Sequence, residues 1–81
     1  MTETAKKVIN IIKNNAKFVD DIKMTTLLVD DMGFTSIELV SMIYELETEF
    51  DIMLDMEELE FDKINIVENL VTLIERKVSN V

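Results

Sequence analysis

Apolar residues recur at helical spacing in three stretches of this chain and lose that rhythm between them. In the first stretch Ala5, Val8, Ile9, Ile12 and Ala16 fall on one face, while Lys6, Lys7, Asn10 and Lys13 fill the other. This predicts a helix from about Glu3 to Asn15. Residues 16–35 show weak periodicity. Asp20-Asp21, Thr25-Thr26 and Asp30-Asp31 interrupt the pattern, although Phe18, Ile22, Leu27, Leu28 and Met32 remain apolar. A connection of that length inside a small domain is expected to be an Ω-type loop pinned to the core by its apolar residues.

A second helix is predicted from Ser36 to Phe50. Thr35 can act as its N-cap, and Glu38 three residues on completes a capping box. Ser36 then occupies the first helical position, with its side chain toward solvent. Gly33, the single glycine, suits a positive φ just before the cap. A short helical piece is predicted over about 56–61. A last helix follows over about 66–79, with Asn65 as cap, Glu68 at the capping-box position and Val67, Leu70, Ile74 and Val78 as its stripe. Arg76 and Lys77 lie near its C-terminus, where cations favour the helix dipole. The expected fold is all-α: a small four-helix bundle with three longer helices, one short helix and a long first loop, as a single domain over 1–81.

The second helix carries two apolar groups. Leu39, Ile43, Leu46 and Phe50 share one face and are expected to be core. Ile37, Val40 and Tyr44 lie on another, with Glu47 at its edge. Two readings of that second group stand at this point. It packs against the loop or another helix, or it is an apolar docking strip ringed by carboxylates.

Composition narrows the chemistry. The 81 residues include no cysteine and no histidine. That excludes disulfides, thiolate catalysis, imidazole acid–base chemistry and zinc sites built on nitrogen or sulfur. Hydrophobic residues are 48% of the chain, which argues against disorder despite the charge. With 17 acidic and 8 basic residues the formal charge is −9. Nucleic acid and anionic membrane surfaces would repel the chain, and partners with basic patches would attract it. No apolar run near the start is long enough for a signal peptide or a membrane span, so a soluble, monomeric, cytoplasmic protein is expected. The carboxylates lack the alternation and the central glycine of an EF-hand loop, and no metal site is expected.

Ser36 is left as the residue with chemistry to offer. As a hydrolase nucleophile it lacks a base, and its flanks do not match the Gly-x-Ser-x-Gly elbow. As a covalent acceptor it is well placed, since a phosphodiester on its Oγ would lie near the free N–H groups and positive dipole end of the second helix.

The run Leu28-Val29-Asp30-Asp31-Met32-Gly33-Phe34-Thr35-Ser36-Ile37 resembles the attachment region of acyl carrier proteins. Leu46-Glu47-Thr48-Glu49-Phe50-Asp51-Ile52 is similar to that family's helix-ending segment. Leu59-Glu60-Phe61-Asp62-Lys63-Ile64-Asn65-Ile66-Val67-Glu68-Asn69-Leu70 resembles its third-helix region, closer to the polyketide-type carriers. The resemblance implies a freestanding carrier with no catalytic activity of its own. It implies a 4′-phosphopantetheine arm on Ser36, added from coenzyme A by a Mg²⁺-dependent phosphopantetheinyl transferase, whose thiol carries acyl groups as thioesters. Implied partners are that transferase, an acyl-loading enzyme (a ligase or an acyltransferase) and synthase-type enzymes with basic docking surfaces. Thr35, Ile37, Glu38, Val40, Tyr44 and Glu47 are the implied docking residues. Thr35 stands where the family most often has aspartate. Ser41 and Thr48 stand where acids are common, and Phe34 is bulky beside the attachment point. These departures point to polyketide or peptidyl-type work over bulk fatty-acid synthesis. A peptidyl or aryl carrier loaded by an adenylating enzyme, and an unmodified acidic interaction module, are the alternatives.

Overall fold

Thr2 starts the first helix, α1 (Glu3–Asn15): its hydroxyl accepts a hydrogen bond from Ala5 N at 3.0 Å. The computed structural model describes residues 1–17 and 21–79, so Phe18 and Asp20 of the long loop lie outside the described residues. Ala5, Val8 and Ile12 are buried as the spacing predicts. Ile11 is buried with them and Ile9 is only half-buried. The inward arc is shifted because α1 packs against two helices, α2 and α4, not one.

The second helix, α2, spans Ser36–Phe50 as expected. Its innermost residues are Met42 and Leu46, whereas Leu39, Ile43 and Phe50 are half-buried. The inward arc is therefore rotated by about 50° from the expected stripe toward Met42. The principal helix pairs are α1 with α2, α1 with α4, and α3 with α4. Pressing α2 against α1 turns Met42 inward and leaves Leu39 and Ile43 facing an open groove. Asp51 ends the helix in the left-handed conformation, with φ 53°.

The short helix, α3, is Phe61–Ile64, not 56–61. Residues 56–59 form a separate turn. The Asp55 and Glu58 side chains each accept from the other's backbone N–H at 3.0 Å. The turn does not run on into a helix, and one physical reason is spacing. Leu59 and Ile64 both face inward, and a continuous helix would set residues five apart about 140° from each other. A break at Glu60, whose ψ is 141°, lets both point in.

The last helix, α4, spans Val67–Ser79. Val67, Leu70, Val71, Leu73 and Ile74 are buried, and each fully buried Leu or Ile is worth about 1.5–3 kcal/mol relative to exposure. Asn65 does not cap this helix. It is buried, its side-chain Oδ1 accepts from Val29 N at 2.9 Å, and its carbonyl accepts from Leu28 N at 2.8 Å. The first free N–H groups of α4 go instead to the long loop: Val67 N donates to the Thr26 carbonyl at 3.0 Å and Glu68 N to the Met24 carbonyl at 2.8 Å. A single antiparallel bridge, Leu27 with Ile66, completes the seam. Leu28, Met32 and Phe34 are buried, so the loop is pinned to the core as its apolar residues require.

Candidate functional site: the start of α2 and its outer strip

The approach to Ser36 is a loop closed on itself. Asp31 N and Met32 N donate to the Leu27 carbonyl at 2.9 and 3.2 Å, Gly33 N to Val29 at 3.0 Å and Phe34 N to Leu28 at 2.9 Å. The Asp31 carboxylate accepts from Leu27 N at 2.8 Å. Gly33 has φ 69°, and a Cβ there would meet no atom within 4 Å. The requirement for glycine is therefore one of backbone conformation, not of space. After Gly33 the Phe34 ring is buried, so it does not crowd the serine as its bulk in the sequence suggested.

Thr35 is extended and caps α2. The Glu38 Oε1 accepts from Thr35 N at 2.8 Å and from the Thr35 hydroxyl at 2.9 Å, and Glu38 N donates back to Thr35 Oγ1 over a longer 3.5 Å. The Thr35 backbone N–H, and then its hydroxyl, hold the Glu38 carboxyl below its ordinary value, and Lys17 adds to this. Ser36 follows as the first helical residue and is exposed. An oxyanion joined to its Oγ would meet the unpaired N–H groups and positive end of a 15-residue helix. The residues present suit a phosphodiester.

Beyond Ser36, Ile37, Val40 and Tyr44 are 81%, 69% and 69% exposed. The choice between packing and exposure is thereby decided for this group. Ser41 and Thr48 are exposed and lie on the same face at about 100° per residue. The strip itself holds no charge. The acids of α2 flank it, and each has an internal contact. Besides Glu38 in the cap, Glu45 accepts from Asn15 Nδ2 at 3.0 Å and Glu49 pairs with Lys7 at 3.7 Å. Glu47 accepts from Leu54 N at 2.9 Å and so ties down the segment after the helix. Sequence reasoning missed what lies beside the strip. Val40, Tyr44, Leu39, Ile43, Leu59 and Ile64 line a groove of about 400 Å³. The inward placement of Leu59 and Ile64 was hidden by the expected helix over 56–61.

The sequence pattern of the phosphopantetheine attachment site matches residues 6–74. The chain belongs to the acyl carrier protein family. An acyl carrier protein of Thermotoga maritima is 36% identical over 78 residues, covering 94% of this chain and 93% of that relative. An acyl carrier protein of Petrotoga mobilis is 37% identical over 60 residues, 74% of this chain and 68% of its own. The chain is accordingly a carrier and not an enzyme, and its cofactor is a covalently attached 4′-phosphopantetheine. The arm supplies the terminal thiol on which acyl groups are held as thioesters, a group that a chain without cysteine does not provide itself. Among the described residues, no helix is long and apolar enough to cross a membrane.

Proposed function

We propose that Ser36 is the attachment residue and that residues 1–81 work as one cytoplasmic, monomeric carrier domain. One observation carries this reading. Ser36 is the exposed first residue of a capped helix, and the exposed, uncharged strip of Ile37, Val40, Ser41, Tyr44 and Thr48 runs directly away from it. A transferase delivers the arm from coenzyme A: Ser36 Oγ bonds to the phosphorus that bears the pantetheine, the P–O bond of the pyrophosphate breaks, adenosine 3′,5′-bisphosphate leaves with that electron pair, and the hydroxyl proton passes to a base of the transferase or to water. The chain's part is to present that hydroxyl at a fixed place and to receive the phosphate beside free N–H groups. Intact mass after incubation with coenzyme A and a broad-specificity phosphopantetheinyl transferase tests the assignment. The wild type gains the mass of one arm and Ser36→Ala gains none; labelling of Ser36→Ala would sink it.

The strip is the docking face for the transferase, for an acyl-loading ligase or acyltransferase and for synthase-type enzymes, with Thr35, Glu38 and Glu47 at its margins. Val40→Glu is expected to weaken docking while leaving the melting temperature within about 2–4 °C, because an exposed surface change rarely moves stability by more than about 0.5 kcal/mol. A large loss of stability would show that Val40 is packed in solution. Cargo of the polyketide or peptidyl type, over bulk fatty-acid work, is supported by Thr35, Ser41 and Thr48, which leave the strip and the residue just before Ser36 without a carboxylate.

A further inference from the structure

Half of the chain's eight bases, Lys6, Lys7, Lys13 and Lys17, stand in its first 17 residues with one acid, Glu3, so that stretch carries +3 and the remainder −12. The docking strip on α2 uses none of these lysines, and all four are exposed. At about 100° per residue Lys6, Asn10 and Lys13 fall within about 60° of one another on α1, with Asn14 and Lys7 at the margin of the same arc. Both asparagines are exposed, and beyond Glu3 in the first turn the arc holds no acid. Lys17 follows the helix end and extends the positive charge toward the start of α2, where it bears on the Glu38 carboxyl.

This basic lane is one helix wide. α1 packs against α2 and α4, and acids stand at both edges. Glu45 accepts from Asn15 Nδ2 at 3.0 Å, Glu49 pairs with Lys7 at 3.7 Å, and Glu75 accepts from the Thr2 hydroxyl at 2.6 Å. Among the described residues, Lys6 and Lys13 make no ion pair. Width and charge together select the occupant. A bilayer or a nucleic acid duplex is broader than one helix and would lie over the flanking acids too. A helix that binds a membrane surface also needs an apolar face, and α1 spends its own on the core, where Ala5, Val8, Ile11 and Ile12 are buried. A second copy of the chain brings another −9. A protein helix, about 10 Å across, fits the lane and leaves its edges uncovered. Lys6 and Lys13 stand about 10 Å apart along the axis, so they match carboxylates two turns apart, and Asn10 between them both donates and accepts hydrogen bonds.

We propose that the outward face of α1, from Lys6 through Asn10 and Lys13 to Lys17, binds an acidic helix of a partner protein. The contact is opposite in polarity to the rest of the surface. It lets the carrier separate partners by the pattern of their charges, accepting an acidic ridge that its other faces repel. The lane stands independently of the α2 strip and of Ser36.

The test is a titration of the unmodified ¹⁵N-labelled chain with two stapled helical peptides of identical composition, at low and at high salt. One has glutamates at i, i+4 and i+7 on a single face; the other has them spread around the helix. The aligned peptide is expected to shift the amide signals of Lys6 to Lys17 and to bind about fivefold more tightly than the dispersed one, with the advantage lost at high salt. K6Q/K13Q is expected to bind the aligned peptide about fivefold more weakly at low salt, with its melting temperature within about 2–4 °C of the wild type. Equal binding of the two peptides, shifts that extend to Lys23, Lys63, Arg76 and Lys77, or wild-type affinity in K6Q/K13Q would overturn the proposal. Phosphatidylserine vesicles and a DNA duplex, run in the same buffers, are expected to leave α1 unshifted. Binding of either as tight as the aligned peptide would give the face to that class of partner instead. A dimer of the chain alone that K6Q/K13Q dissolves would give it to a second copy.

Discussion

Two helices of this carrier start in opposite ways. The start of α2 is closed by its own side chains: Thr35 and Glu38 exchange hydrogen bonds across three residues. The start of α4 is closed by distant backbone, the carbonyls of Met24 and Thr26, with buried Asn65 bonded to Val29 instead of to the helix. A cap made locally needs nothing on top of it, so the end of α2 stays in solvent with Ser36 presented there. A cap made from another segment brings that segment over the helix end and covers it. The first arrangement leaves a helix end open to solvent, as the proposed role of Ser36 requires, and the second makes a structural seam.

The widest test of this contrast is Asn65→Ala. It leaves Val29 N without its side-chain acceptor in a buried place, and stability is expected to fall by about 1–3 kcal/mol. Chemical denaturation reads the loss, and the extent of Ser36 modification in the folded fraction should not change. Thr35→Ala comes next. Loss of an N-cap hydroxyl costs about 1 kcal/mol, and the loss should appear in hydrogen exchange as fraying limited to the first turn of α2. An equal loss of protection at the start of α4 would break the contrast.

Acid titration gives a smaller effect with a definite sign. The folded carboxyl of Glu38 is depressed below its ordinary value of 4.5. Its stabilisation is therefore complete above that value and fades as pH falls through the folded pKa. Glu58 is depressed in the same direction, first by the Asp55 backbone N–H and then by Lys77, so both carboxyls contribute to acid loss. Glu38→Gln keeps an acceptor for Thr35 N and removes one titration. Its melting temperature should fall less steeply than that of the wild type on acidification; parallel curves would remove Glu38 from the account. Smallest of all is Thr35→Asp at high salt, which keeps an acceptor for Glu38 N; it also sets a carboxylate where the hydroxyl donated to Glu38, a repulsion that salt screens, so stability there should change by only about half a kcal/mol. Any change in the labelling rate of that variant then belongs to recognition by the transferase and not to the helix.

What was legible in the residues follows the same division. The bounds of α1 and α2, the capping box and the place of Ser36 rest on interactions within a turn or two, whereas only the structure chose between packing and exposure for Ile37, Val40 and Tyr44. Helical spacing reports such interactions directly. The roles of Asn65, Phe34 and Met42 were misread or missed because each is set by a neighbour far along the chain. A short helix over 56–61 was expected because glutamates around Leu59 suit a helix. The turn at Asp55 and the need to bury both Leu59 and Ile64 moved it to Phe61–Ile64.

By itself the sequence determined an all-helical chain with a capped helix starting at Ser36, because capping and 3.6-residue periodicity are short-range, and its resemblance to a known family pointed to a carrier. Tertiary structure alone decided which face of α2 turns inward, how α4 is closed, and where the groove lies beside the strip. Those depend on how four short helices share one small core, and no local pattern encodes that division.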